Sequence, residues 1–178
     1  MFGQIRKWLG KQDADKRVSE QWHSEIMAMA RDPEPFLRGW VTDTLEGRFA
    51  MASLVTILVL RRLRDIGSEG RALADGVYRE VFSGFDHALR EHGVGDSSIA
   101  RRMRKMGEEF FGLARAIDAA LAGKGDEPLA EVLRRNGIIK ADEHKEALAD
   151  WVMLREGELA RLDEAALLAG QVGWRKLA

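Results

Sequence analysis

Cysteine is absent from the 178-residue chain, which excludes disulfide bonds, thiol catalysis and thiolate metal sites and fits a reducing compartment. Proline occurs 3 times and tyrosine once, and β-branched and aromatic residues are sparse, so the usual material of strands is missing. Excess charge of one sign is missing too: 28 basic residues face 29 acidic ones, for a formal net charge of -1. A balance this even gives no global attraction to nucleic acid. Any basic partner site has to be local, and no specific DNA partner is expected. No apolar run reaches the ~20 residues of a transmembrane helix. The longest, Phe49 to Leu60, is broken by Ser53 and Thr56 and stops at Arg61 and Arg62. The start, MFGQIRKWLGK, lacks the apolar stretch of a secretory signal.

What the chain does contain is Ala, Leu, Glu and Arg in abundance, with 46% apolar and 32% charged residues. These are strong helix formers in a globular composition, and the expected fold is all-α: one multi-helix domain over residues 19–170. Residues 1–18 are expected to be a flexible basic lead-in and 171–178 a short tail. In the lead-in, Phe2, Ile5 and Leu9 fall at helical spacing with Trp8 beside them, while Arg6, Lys7 and Lys11 lie elsewhere on the wheel. Phe2, Ile5, Trp8 and Leu9 are therefore candidates for contact with an anionic membrane surface. The alternative is a tail that frays or packs weakly on the body.

Periodicity places the body helices. Ser19 is a good N-cap for a first helix carrying Trp22, Ile26 and Met29, and Asp32-Pro33-Glu34-Pro35 ends it. A short turn through Phe36 and Leu37 should close at Gly39. Asp43 or Thr44 can cap the next helix, which spans about 49–65, is apolar nearly all round and should be the buried centre of the fold. Leu73, Val77, Val81, Phe85 and Leu89 mark a helix over about 71–91. Ile99, Met103, Met106, Phe110, Leu113, Ile117 and Leu121 mark an amphipathic basic helix over about 97–122, with Asp96 or Ser97 as cap and Gly123 as stop. A shorter helix runs from Pro128 to Gly137. A last long helix is expected from about Asp142 to Ala169, bent or loosened at Gly157.

Enzyme motifs are missing. The chain has no glycine-rich phosphate loop and no nucleophile elbow. Among His23, His87, His92 and His144, only His87 with Glu91 makes an i, i+4 pair, far short of a helical di-metal site. No catalytic, cofactor-binding or metal-binding residue is expected. The constellation with chemical character is Arg101-Arg102-Met103-Arg104-Lys105, whose cations fan over the solvent side of their helix beside Phe111. Such a patch can bind an acidic protein segment, RNA phosphate or a lipid headgroup. The alternative is a solvated face partly neutralised by Glu108 and Glu109.

The stretch FDHALREHGVGDSSIARRMRKMGEEFFGLARAIDAAL, residues 85–121, resembles the signature region of the ubiquinol–cytochrome c chaperone family. The resemblance is carried by Leu89, Arg90 and Glu91, by Gly93, Val94, Gly95 and Asp96, by Arg101, Arg102, Met103, Arg104, Lys105 and Met106, and by Phe110, Phe111 and Gly112. Upstream, Asp43-Thr44-Leu45-Glu46-Gly47-Arg48-Phe49-Ala50-Met51 resembles a second family segment, and Leu60-Arg61-Arg62-Leu63 the end of its following helix. In all, the likeness covers about residues 20–170. Four positions depart from the pattern: Ala50 stands for an acid, Phe111 and Ile117 for tyrosines, and Leu113 for an arginine.

The resemblance implies an assembly chaperone for the cytochrome b subunit of complex III, not an enzyme, holding newly made cytochrome b or an early intermediate. Partners so implied are cytochrome b and a small co-chaperone or the ribosome. The place implied is the cytoplasm, peripherally at the inner-membrane face, as in bacterial members. Heme would belong to the client, so no cofactor is expected here. Arg101, Arg102, Arg104, Lys105 and Phe111 are then the candidate client-binding residues. Asp43, Gly47, Arg48, Gly95, Asp96, Met103, Met106, Phe110 and Gly112 are candidate structural residues, with Arg48 and Asp96 a candidate cross-fold pair. An RNA- or ribosome-binding module and a peripheral membrane protein remain open alternatives for the same basic helix.

Overall fold

A computed structural model describes residues 2–93 and 95–171, and the side chains of 14–93, 95 and 98–171. Every regular element among them is helical: α1 (Phe2–Met29), α2 (Glu34–Leu37), α3 (Leu45–Asp65), α4 (Ser68–Glu91), α5 (Asp96–Leu121), α6 (Leu129–Arg135), α7 (Lys145–Arg161) and α8 (Glu164–Leu168), with a 3-10 turn at Asp142–His144 before α7. No helix among the described residues is long and apolar enough to cross a membrane.

The centre is α3, as its composition requires. From Met51 to Leu60 it is buried at every position except Ser53, because α1, α4, α5 and α7 all pack against it. Its single polar burial is neutralised locally, since the Thr56 hydroxyl donates to the Ala52 carbonyl at 2.6 Å. Thr44 caps the helix, its Oγ1 accepting from the Gly47 amide at 3.2 Å. Two glycines are dictated by close approach. A Cβ on Gly47 would stand 1.9 Å from the Thr42 carbonyl oxygen, and one on Gly70 would stand 2.0 Å from that of Leu63. Both distances are far inside contact range, so only glycine lets the chain fold back tightly into α3 and out of it into α4.

Three local expectations are corrected. Ser19 does not begin a helix: α1 already runs from Phe2, and Ser19 lies buried in its interior. Its hydroxyl donates to the Asp15 carbonyl four residues back at 2.9 Å, a bond that lets serine sit mid-helix without capping it. Neither Asp96 nor Ser97 is the N-cap of α5. That position is Gly95, extended at φ -65 and ψ 144, without a side-chain cap; its carbonyl accepts from Ser98 and Ile99. The final helix is not continuous to Ala169. It passes straight through Gly157 and ends at Arg161, after which Leu162 and Asp163 are extended and Asp163 caps α8 through the Ala166 amide.

The last short helix is tied to the first. Trp22, wholly buried, donates through its indole N–H to the Leu167 carbonyl at 3.1 Å. That bond satisfies a carbonyl near the end of α8.

Candidate binding face

The face is built on the antiparallel pair α4 and α5. The α5 stripe predicted from spacing is the inner one: Ile99, Phe110, Leu113 and Ile117 are buried, and Met103 and Met106 are half-buried against the core. The opposite side carries Arg101, Arg102, Arg104 and Lys105, all exposed. Lys105 pairs with Glu109 at 3.4 Å, so the expected neutralisation is realised there. Arg104 makes no ion pair to Glu108 among the described residues.

Phe111 stands beside this ridge with 42% of its surface exposed. It belongs to a chain of rings that runs inward. Its centroid is 5.3 Å from Tyr78 and 5.6 Å from Phe110; Tyr78 lies 4.3 Å from Phe82, Phe82 lies 5.4 Å from Phe85, and Phe85 meets Phe49 of α3 edge-on at 5.2 Å. Offset and edge-on pairs at these distances add to the hydrophobic gain, and they hold an aromatic at the surface in a fixed orientation. Burial raises the Tyr78 phenol above its ordinary range. Tyr78 and Phe82 of α4 stand one residue beyond Val77 and Val81 of its apolar stripe. Their place at the surface end of the aromatic chain depends on α4 and α5 meeting.

The family-motif residues separate by position. Asp43 and Arg48 pair with each other, Nε to Oδ1 at 2.7 Å, and the Arg48 guanidinium also lies over the Phe36 ring at 5.3 Å. The pair joins residues five apart; the expected partnership of Arg48 with Asp96 lies outside the described residues, which do not include the Asp96 side chain. Gly112 has nothing within 4 Å of a would-be Cβ, so no close approach accounts for it. Among the departures from the family pattern, Leu113 and Ile117 are buried and contribute to the core, whereas Phe111 is exposed. The side chains of Phe2, Ile5, Trp8 and Leu9 lie outside the described residues.

No group of three or more His, Asp or Glu side chains suited to a metal is assembled among the described residues. His87 and Glu91 form an exposed pair at 3.5 Å. His23 is half-buried in α1 with its imidazole against Gly84 of α4, and this burial lowers its pKa, opposed by Glu80 and reinforced by Arg31.

Sequence reasoning missed a buried polar cluster at the end of α1. Arg155, almost wholly buried, places Nη1 2.9 Å from both Glu158 carboxylate oxygens. Its Nη2 lies 3.5 Å from Asp32 Oδ2, which also accepts from the Trp151 indole at 3.1 Å. The guanidinium lies over the Trp151 ring at 5.2 Å. The i, i+3 spacing of Arg155 and Glu158 was visible in the sequence, but the same spacing serves exposed ion pairs along a helix surface.

Against known proteins, the family profile for ubiquinol–cytochrome c chaperones matches residues 39–174. Among solved structures, the chain is similar to the Cbp3 homolog from Brucella abortus, with a TM-score of 0.81 and 31% identity over 97% of this chain and 95% of that one. No curated protein matches.

Proposed function

Because the chain belongs to the ubiquinol–cytochrome c chaperone family, we propose that it is an assembly chaperone for complex III and that its client is cytochrome b, newly made or in an early intermediate. The observation that carries this reading is the α5 ridge: four exposed cations beside an aromatic that is fixed from within yet half open to solvent. A chaperone has to hold a client reversibly. Exposed cations speed encounter and set orientation without contributing large binding energy, while a rigid aromatic supplies an anchor at low entropic cost.

The ridge cations are exposed and lie away from the core, as a client surface should. The residues of the upstream motif act differently: Thr44, Gly47 and the Asp43–Arg48 pair shape the entry to the central helix. The proposed place of action is the cytoplasmic face of the inner membrane, with the amphipathic start of α1, through Phe2, Ile5, Trp8 and Leu9, as the membrane contact. The continuity of α1 from Phe2 supports a helical form for that stretch. Flotation with anionic vesicles, beside a chain beginning at Ser19, tests this part alone; equal flotation of both chains removes it.

The test of the client reading is a pull-down from native membranes with the purified protein and with the Arg101→Glu, Arg102→Glu, Arg104→Glu, Lys105→Glu variant. Cytochrome b should be recovered by the wild type and lost by the variant. Recovery by neither chain contradicts the proposed client.

A further inference from the structure

We infer that the binding face is a composite of α4 and α5 and that it takes an acidic protein segment with an apolar anchor, in preference to a lipid surface or RNA. The inference rests on the chaperone reading above and adds the chemistry of the bound segment, together with Tyr78 and Arg115 as residues that select it.

The apolar platform is the outer end of the ring chain, where Phe111 and Tyr78 lie 5.3 Å apart. Between Arg104 and Phe111 the helix carries Gly107, and a Cβ there would meet only the Tyr78 hydroxyl oxygen, at 3.8 Å. With no side chain at 107, that position of α5 places nothing over the hydroxyl. It has no hydrogen-bond partner among the described residues, so it is available to donate to a carboxylate or carbonyl of an incoming chain.

Charge surrounds the platform in a definite order. Arg101, Arg104, Glu108, Phe111 and Arg115 follow one another at helical steps of 3, 4, 3 and 4, and all five are exposed. Lys105 is matched by Glu109, and Asp118 by Arg61 at 2.9 Å. Arg101, Arg102, Arg104 and Arg115 make no ion pair with a described residue. Phe111 therefore stands between unmatched cations, about 10.5 Å from Arg104 and about 6 Å from Arg115 along the helix at 1.5 Å per residue.

This order favours a protein segment. A nucleic-acid track needs cations in continuous succession along the phosphates, and Glu108 and Glu109 interrupt it. A membrane surface rewards a basic face with several apolar insertions on the other side, whereas here a single aromatic lies among mixed charges. An extended or helical segment that seats one apolar side chain on Phe111 and Tyr78, with carboxylates on both flanks, meets the unmatched cations on either side of the rings.

The test uses overlapping synthetic peptides tiling cytochrome b, read by fluorescence anisotropy against the full chain. Phosphatidylcholine–phosphatidylglycerol vesicles and polyuridine are run in parallel. A peptide with an apolar residue flanked by acids should bind. Phe111→Ala should weaken it by about tenfold or more, the scale of a hot-spot residue, and Arg104→Glu/Arg115→Glu by about tenfold, because reversal sets like charges against the segment's acids. Tyr78→Phe, which removes only the hydroxyl, should weaken it about fivefold, the scale of one hydrogen bond. Changing the peptide's acids to lysines should restore binding to the Arg104→Glu/Arg115→Glu chain.

Peptide binding that none of these changes affects overturns the composite face while leaving the chaperone reading intact. Tight binding of vesicles or polyuridine without any peptide overturns the partner class. Absence of peptide binding, together with failure of the wild type to recover cytochrome b from membranes, overturns both.

Discussion

Replacing Gly47 by alanine separates two opposite expectations by sign. Gly47 lies in the first turn of α3, and at an ordinary helical position glycine to alanine stabilises by about 0.5–1 kcal/mol. Here the new methyl would stand 1.9 Å from the Thr42 carbonyl oxygen and 3.3 Å from Val41 Cγ1. A carbon and an oxygen approach no closer than about 3.3 Å without cost, so the backbone on one side has to move by more than an ångström. Such overpacking costs about 1–3 kcal/mol. The movement also pulls the Gly47 amide from the Thr44 hydroxyl, whose capping is worth about 1 kcal/mol. The exposed Asp43–Arg48 pair adds at most about 1 kcal/mol.

After the helical gain is subtracted, Gly47→Ala should destabilise by about 1–3 kcal/mol. Gly112→Ala and Gly157→Ala, where nothing lies within 4 Å of the added carbon, should stabilise by about 0.5–1 kcal/mol. Urea unfolding followed by far-ultraviolet circular dichroism gives all three with a shared slope. A Gly47→Ala chain as stable as the wild type, or shifted upward with the other two, would refute the steric account of the motif.

Other perturbations test other parts. Trp22→Phe removes the donor to the buried Leu167 carbonyl and should lower stability by about 1–3 kcal/mol in the same assay. Arg61→Met cuts the links from α3 to Asp118 of α5 and Glu156 of α7; with the guanidinium only partly covered, the loss should be about 1 kcal/mol, confirmed by a double-mutant cycle with Glu156. The pKa of His23 is lowered in the folded chain, so below pH 6.5 the unfolded chain takes up a proton that the folded one resists. Stability should therefore be full above that pH and fall as the pH drops from 6.5 to the lowered folded value, and His23→Gln should flatten this part of the urea-midpoint profile. Reversal of Arg101, Arg102, Arg104 and Lys105 to glutamate should change stability by no more than about 0.5 kcal/mol, since a larger loss would mean that the ridge supports the fold.

The helices were legible where burial and period agree. The α3 run could only be central, because no surface helix is apolar all round, and the spacing from Ile99 to Leu121 fixed which side of α5 faces inward. Helix ends were legible less often. The cap of α3 acts locally and was narrowed to Asp43 or Thr44, of which Thr44 is the one. Ser19 has the chemistry of a cap, yet tertiary packing against α4 keeps α1 helical through it; a Cβ on Gly76 would lie 2.4 Å from its hydroxyl. Asp163 carries the same capping signal and was passed over, because the residues around it are helix formers.

Groups that act across the fold were beyond local pattern. Asp32 joins Arg155 over 123 residues, and the Phe111–Tyr78 contact spans two helices. For the candidate face, the cations and Phe111 could be read from spacing, whereas Tyr78 needed the α4–α5 register.

The central claim is that this chain is required to assemble complex III and acts through the α5 ridge. The most direct measurement is the amount of assembled complex III, by native electrophoresis, in a strain lacking the gene and complemented with the wild type or with the four-fold glutamate variant. Assembled complex should be lost at unchanged cytochrome b transcript, and restored by the wild type but not by the variant at equal protein level. Normal complex III in the strain lacking the gene would contradict it.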